Sequence, residues 1–212
     1  MTVRPGKEKG DFPVLRRPWS FSAATMSGAY CMPTIFSHPA PMLALALAVG
    51  SRGIPVPLLL FGMVCTILPD ADVLGFRFGI SYGNVLGHRG ISHSLAFALT
   101  AGVAGAIGAP LLRSGRMKAF CVGFFAGVSH TVLDAMTSGG LGVAALWPFD
   151  QGRHFLPWRS ISVSPIGPRS FFTQRGVEVL LSELRWVWLP CLLAGCPAFA
   201  VRHILNRKNR NA

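Results

Sequence analysis

Asp70 and Asp72 stand directly after one apolar run, and His88 and His93 directly before the next. The chain has five aspartates and six histidines, and four of these eleven lie in one connection, LPDADVLGFRFGISYGNVLGHRGISHS, residues 68–94. His130 and Asp134 follow in SHTVLD, and His38 opens the first apolar run. On a helix, residues four apart share one face about a turn from each other. Imidazole and carboxylate together suit a divalent transition metal, zinc first and manganese or another transition metal next; so many histidines count against calcium. The candidate ligands are His38, Asp70, Asp72, His88, His93, His130 and Asp134. They exceed what one tetrahedral zinc takes, which allows two ions, or one ion with an acid–base pair. Asp72 or Asp134, if outside the coordination sphere, is a candidate general base. Arg89, and Arg153 and Arg159 further on, are candidates for holding an anionic group.

These residues need elements to position them, and the composition says which kind. The mean hydropathy is +0.47 and charged residues make up 13%, against roughly 25% in soluble proteins. Apolar runs occupy residues 39–50, 54–68, 94–112, 119–137 and 186–201. The first two are shorter than the ~20 residues a perpendicular membrane span requires, while 94–112 and 119–137 are long enough. Pro55 and Pro57 suit the first turn of a helix, and Pro69 helps to end it. Gly102, Gly105 and Gly108 would let a second helix approach closely. The reading is an all-α fold: an integral membrane bundle of about four to five apolar helices, with a polar metal site at one membrane face.

Alternating helix directions tie the site together. If successive runs go up and down, His38, Asp70, Asp72, His93, His130 and Asp134 fall at one face. Arg52 and the basic turn Arg113, Arg116 and Lys118 fall at the other. Ionisable groups within membrane segments are costly and mark functional sites by default. Each motif alone has a bland alternative. His130 and Asp134 could be an intrahelical hydrogen-bonded pair, PDAD a helix stop followed by caps, and HRGISH a basic loop in which Ser92 caps the next helix. Asp150 reads as a turn residue, and His154 and His203 as interfacial.

Residues 1–31 form a basic segment expected to be disordered, with Met26 and Met32 as alternative starts. Residues 32–205 form the helical domain, and 206–212 a basic tail. Residues 138–183 are mostly loop, too aromatic for disorder and expected to fold over the bundle. Ser160 to Val163 is a candidate extended pairing, and 177–189 a candidate amphipathic helix. Twenty basic against eight acidic residues fit anionic lipid better than nucleic acid, since no nucleic-acid-binding motif is present. The five cysteines form neither a CxxC pair nor a disulfide framework.

The series SHPAPMLALALA, LPDAD, GHRGISHS, GVSHTVLD and GVAALWPF resembles the YdjM-type inner-membrane metal-dependent hydrolases, over about residues 36–190. The helix-borne HxxxD is also similar, more loosely, to zinc-dependent phospholipase C and nuclease P1 enzymes. The first resemblance implies a multi-pass inner (plasma) membrane protein with a site at the seven residues above. It also implies a hydrolase, and a site at the membrane face favours a phosphodiester or ester, with a membrane lipid or lipid-like substrate as partner. Asp72, Asp134 and Arg89 are the expected catalytic residues. The rival expectation is a metal-binding or metal-transporting membrane protein without catalysis. The charge pattern leans toward a site facing away from the cytoplasm.

Overall fold

A computed structural model describes residues 31–32, 34–165 and 174–208. Apolar chain in lipid must satisfy its own amides and carbonyls, and helix is the local solution. Among the described residues, six α-helices follow one another: α1 Ala40–Val49, α2 Val56–Ile67, α3 Leu95–Ile107, α4 Arg116–Ala135, α5 Gln174–Glu183 and α6 Leu189–Lys208. Strand pairing among them is confined to Cys31–Met32, antiparallel to Ser164–Pro165. Isolated bridges join Thr137 to Ile161 and Val143 to His154. Apart from Cys31, the basic segment 1–31 lies outside the described residues. The C-terminal helix runs on to Lys208, past the boundary expected at 205.

Prolines and glycines punctuate these helices. Pro55 and Pro57 sit at the start of α2, as the sequence suggests. Pro69 does not open a free loop. It removes one amide from the α ladder, and the chain tightens into a 3₁₀ helix over Leu68–Phe78 that stops at Gly79, φ 77°. The two segments together make 23 apolar-rich residues, Val56–Phe78, so this element is longer than residues 54–68 alone indicate. The run 94–112 is instead shorter as a helix, because Pro110 disfavours helical backbone at Ala109 and α3 ends at Ile107. Ser94, not Ser92, caps α3: its Oγ accepts from the Phe97 amide at 3.0 Å.

Helices α3 and α4 make the most extensive contact among the described helices. A Cβ on Gly105 would lie 2.5 Å from the Ala119 carbonyl oxygen, and one on Gly123 would lie 2.5 Å from that of Ala101. Only glycine allows this approach, which is how apolar helices gain packing where lipid offers no hydrophobic drive. Helix α2 packs on α4, and α1 on α6. Met42, Leu58, Ala119 and Val122 fill the space between α1, α2 and α4. A second cluster, Ala40, Leu133, Ile161 and Val187, joins the loop to the C-terminal helices. The outward faces stay apolar: Val56, Leu60 and Val64, one turn apart along α2, are each more than half exposed. Such a stripe fits lipid rather than water. Two helical stretches are long and apolar enough to cross a membrane, Val56–Phe78 and Gln174–Lys208.

The aromatic loop after α4 folds over the connection that carries His88 and His93. Ala144 N–H donates to Arg89 O at 3.0 Å, and Leu95 N–H to Ala145 O at 2.9 Å. Arg153 fastens the two together, donating to the carbonyls of His88 (2.5 Å), Tyr82 (2.9 Å) and Asn84 (2.8 Å). Arg159 donates to Thr137 O at 2.9 Å and lies over the Phe155 ring. Both arginines, expected to hold an anion, are engaged with the protein's own backbone.

Candidate metal centre

Five side chains from four places in the chain meet at one buried point. His38 comes from the turn before α1, Asp70 from the first turn of the 3₁₀ helix, and His93 from the short turn before α3. His130 and Asp134 come from one face of α4. One ligand atom from each of Asp70, His93, His130 and Asp134 lies within 4.8 Å of all the others. His38 Nε2 is 3.5 Å from Asp70 Oδ2 and 3.8 Å from Asp134 Oδ1. His93 Nε2 and His130 Nε2 are each 3.6 Å from Asp70 Oδ1. The His38 and His130 rings stack with centroids 4.1 Å apart, and His93 meets His130 edge-on at 4.6 Å.

Hydrogen bonds outside this point orient the donors toward it. His130 Nδ1 lies 2.8 Å from the Thr66 carbonyl oxygen, which only a proton on Nδ1 can satisfy. That tautomer leaves the Nε2 lone pair facing the centre. His93 Nδ1 is 3.2 Å from Asp72 Oδ2, so the same assignment leaves His93 Nε2 facing inward. Behind metal ligands, a carbonyl or carboxylate on the far ring nitrogen is the usual arrangement.

The inward atoms are the test of fit. His38 Nε2, His93 Nε2, His130 Nε2 and both oxygens of Asp70 and Asp134 are buried without a hydrogen-bond partner. His93 Nε2 faces Asp134 Oδ2 at 3.0 Å. In that tautomer this sets an acceptor against an acceptor, a contact that a bound cation or a proton on Nε2 relieves. Leaving so many polar atoms unsatisfied in a protein interior would be prohibitive. The donor set, three imidazoles and two carboxylates, matches a divalent transition ion. The residues fit a metal.

Asp72 and His88 do not belong to this point but to an adjoining group with His93. The 3₁₀ helix is the reason. At three residues per turn, positions two apart are rotated by about 240°, so Asp70 and Asp72 leave the backbone in different directions. An extended connection would have let both reach one centre. Asp72 instead takes His88 Nδ1 at 2.7 Å, Ser92 Oγ–H at 2.5 Å and the Arg89 amide at 3.2 Å, beside His93 Nδ1. Its oxygens are engaged, so it orients His93 rather than joining the five. His88 keeps a buried Nε2 without a hydrogen-bond partner.

Arg89 is fully buried and has φ 64°, a left-handed backbone that a side chain adopts at some strain. Its Nε lies 3.1 Å from Asp134 Oδ2, and its Nη1 donates to Thr137 Oγ1 at 2.8 Å and Gly139 O at 3.0 Å. The guanidinium therefore balances the charge of Asp134, with Nη2 left over from those bonds. At 3.9 Å, His130 and Asp134 are not hydrogen-bonded to each other, which disposes of the intrahelical-pair alternative. Asp150 and His154 form an exposed pair at 2.8 Å. The Gly152 amide and His154 hold the Asp150 carboxyl below the usual carboxylate range. Sequence reasoning missed Ser92, Thr66 and Glu183. Thr66 acts through its carbonyl, which no side-chain pattern announces. Glu183, one of three glutamates in the chain, was detectable as a lone carboxylate beside an apolar run.

Fold and centre together define a helical membrane protein with a buried histidine–aspartate cluster able to hold a metal ion. The chain belongs to the YdjM inner membrane protein family, whose model matches residues 32–207. It is 44% identical over 163 residues to inner membrane protein YbcI of Escherichia coli (strain K12), covering 76% of this chain and 94% of that protein. No solved structure matches.

Proposed function

We propose that this protein is a membrane-bound metal-dependent hydrolase of phosphodiesters or esters, with a lipid or lipid-like substrate. The observation that carries the reading is the set of buried nitrogen and oxygen atoms, without hydrogen-bond partners, that converge from His38, Asp70, His93, His130 and Asp134. These five would hold the ion, with zinc preferred for the imidazole-rich set. A divalent ion in such a site makes water a nucleophile near neutral pH and polarises phosphoryl or carbonyl oxygens. The chain's own residues do the rest. Asp72 holds the proton on His93 Nδ1 and fixes that ring. Arg89 offsets the charge of Asp134, and its remaining Nη2 is a donor for an anionic group. Asp134 is the carboxylate placed to take up a proton if it is released from coordination.

The lipid class is supported by a groove of about 420 Å³ whose walls are Ile35, Val64, Ile67, Leu68 and Leu74, with Asp70 at its edge. An almost wholly apolar groove whose wall includes Asp70, a residue of the centre, suits an acyl chain attached to a polar head. In this reading four to five apolar helices cross the inner membrane, and the site lies at the face away from the cytoplasm. A metal-binding or transporting role without turnover is the second reading. The closure of the centre favours it, since His38, His93, His130 and Asp134 are fully buried.

Purified protein in detergent should carry stoichiometric metal, and Asp70→Ala, His93→Ala and Asp134→Ala should each lose it. Assays on phospholipids and soluble phosphodiesters then separate the readings. Turnover abolished by the same three variants supports hydrolysis; full metal with no turnover on any substrate supports the second reading. Metal retained by all three variants would sink the site as drawn.

A further inference from the structure

His38 differs from the other two histidines of the centre. His130 has the Thr66 carbonyl behind its ring and His93 has Asp72 and Ser92, whereas both ring nitrogens of His38 are buried without a hydrogen-bond partner. A ligand histidine is ordinarily oriented through its far nitrogen. His38 must therefore be oriented by its backbone and by its stacking on His130.

That backbone is tied to a single carboxylate 145 or more residues away in sequence. Glu183, only 1% exposed, accepts the Thr34 amide at 2.5 Å, the Thr34 hydroxyl at 2.5 Å and the Ser37 hydroxyl at 2.6 Å. Within the turn, the Ser37 amide donates to Thr34 O at 3.1 Å, and the Ala40 amide donates to Ser37 O at 3.1 Å. Trp188 Nε1 adds a bond to Ser37 Oγ at 3.2 Å. Glu183 precedes, and Trp188 ends, the π-helical turn Leu184–Trp188 that joins α5 to α6. Among the described residues no cation is ion-paired with Glu183. A buried carboxylate held only by hydroxyl and amide donors is a costly choice for a staple that two apolar side chains could supply.

We propose that Glu183 is a positioning residue for the metal centre. It clamps the Thr34–Ser37 turn, sets the direction in which His38 leaves the chain, and so replaces the ring partner that His38 lacks. The C-terminal helices thereby become part of the ligand scaffold although they contribute no ligand. The inference rests on the metal centre and not on hydrolysis.

The experiment uses the full chain in detergent, with zinc titrated against a chromophoric chelator, for wild type, Glu183→Gln, His38→Ala and the double variant. Glutamine keeps the side chain's size but turns one acceptor oxygen into a donor facing other donors. Zinc affinity should fall about 10-fold or more in Glu183→Gln, and by less than about 2-fold when the same change is made on His38→Ala. The visible spectrum of the cobalt(II) form of Glu183→Gln should also move to that of His38→Ala. Equal losses in the two backgrounds, or an unchanged cobalt spectrum, would overturn the proposal, because a purely structural staple gives those results. If Glu183→Gln does not fold, Thr34→Val, which deletes a single hydroxyl donor, is carried through the same comparison against the same outcomes. A wild type that binds no metal would remove the centre, and this proposal with it.

Discussion

Asp134 carries two roles whose energies can be separated. It is a candidate ligand, and it is the carboxylate 3.1 Å from the fully buried guanidinium of Arg89. Asp134→Ala should therefore destabilise the protein even when no metal is present. At 3.1 Å and an effective dielectric near 20, the pair attraction is about 5 kcal/mol. Breaking a buried pair by removing one partner typically costs about 3–5 kcal/mol. Arg89 Nη1 keeps Thr137 Oγ1 and Gly139 O, so the lower end, about 3 kcal/mol, is expected. Unfolding is followed in mixed micelles with a chelator in excess, so that loss of the metal does not enter the comparison. The second arm is Asp134→Ala combined with Arg89→Met, which removes the orphaned charge and keeps apolar bulk. That double variant should recover much of the loss. An Asp134→Ala protein within about 0.5 kcal/mol of wild type would refute the pairing, since that is the range of a neutral surface change. A double variant no more stable than the single one would refute the orphaned-charge account.

Removing metal from the wild type should lower its unfolding midpoint, and re-addition at about a thousand times the dissociation constant should restore about 4 kcal/mol; equal midpoints with and without ion would contradict the centre. Gly123→Val should abolish or sharply reduce folded protein on detergent gel filtration, because its Cβ would lie 2.5 Å from the Ala101 carbonyl oxygen with backbone on both sides. Normal yield of that variant would mean α3 and α4 are not packed as described. Val64→Trp should fill the apolar groove beside Asp70, slowing hydrolysis of long-chain lipid esters about 10-fold or more while leaving a short soluble phosphodiester and metal content unchanged. Equal slowing of both substrates would dissociate the groove from the acyl chain.

Much of the centre was legible because its parts are local. His130 and Asp134 share a face of α4 by spacing alone, and alternation of apolar runs places His38, Asp70 and His93 at the same end without any coordinates. Glycines in 94–112 announced the tight α3–α4 pair for the same reason: close approach requires the absence of a side chain, and that absence is written in the sequence.

What the tertiary structure decided concerns direction and distance. The connection 68–94 is no open loop: its first eleven residues wind into a 3₁₀ helix, so Asp70 points to the centre and Asp72 to His88 and His93. No pattern of residue types distinguishes a 3₁₀ turn from an extended strand around PDAD, since proline is compatible with both. Arg153 and Arg159 looked available for an anion because a sequence shows charges but not the carbonyls that will meet them. Glu183 lies 149 residues from Thr34, and only the packing of α6 on α1 brings them together. The sequence determined which side chains reach one end of the bundle. The fold determined which of their atoms face each other, because orientation depends on contacts between segments that the chain order does not place side by side.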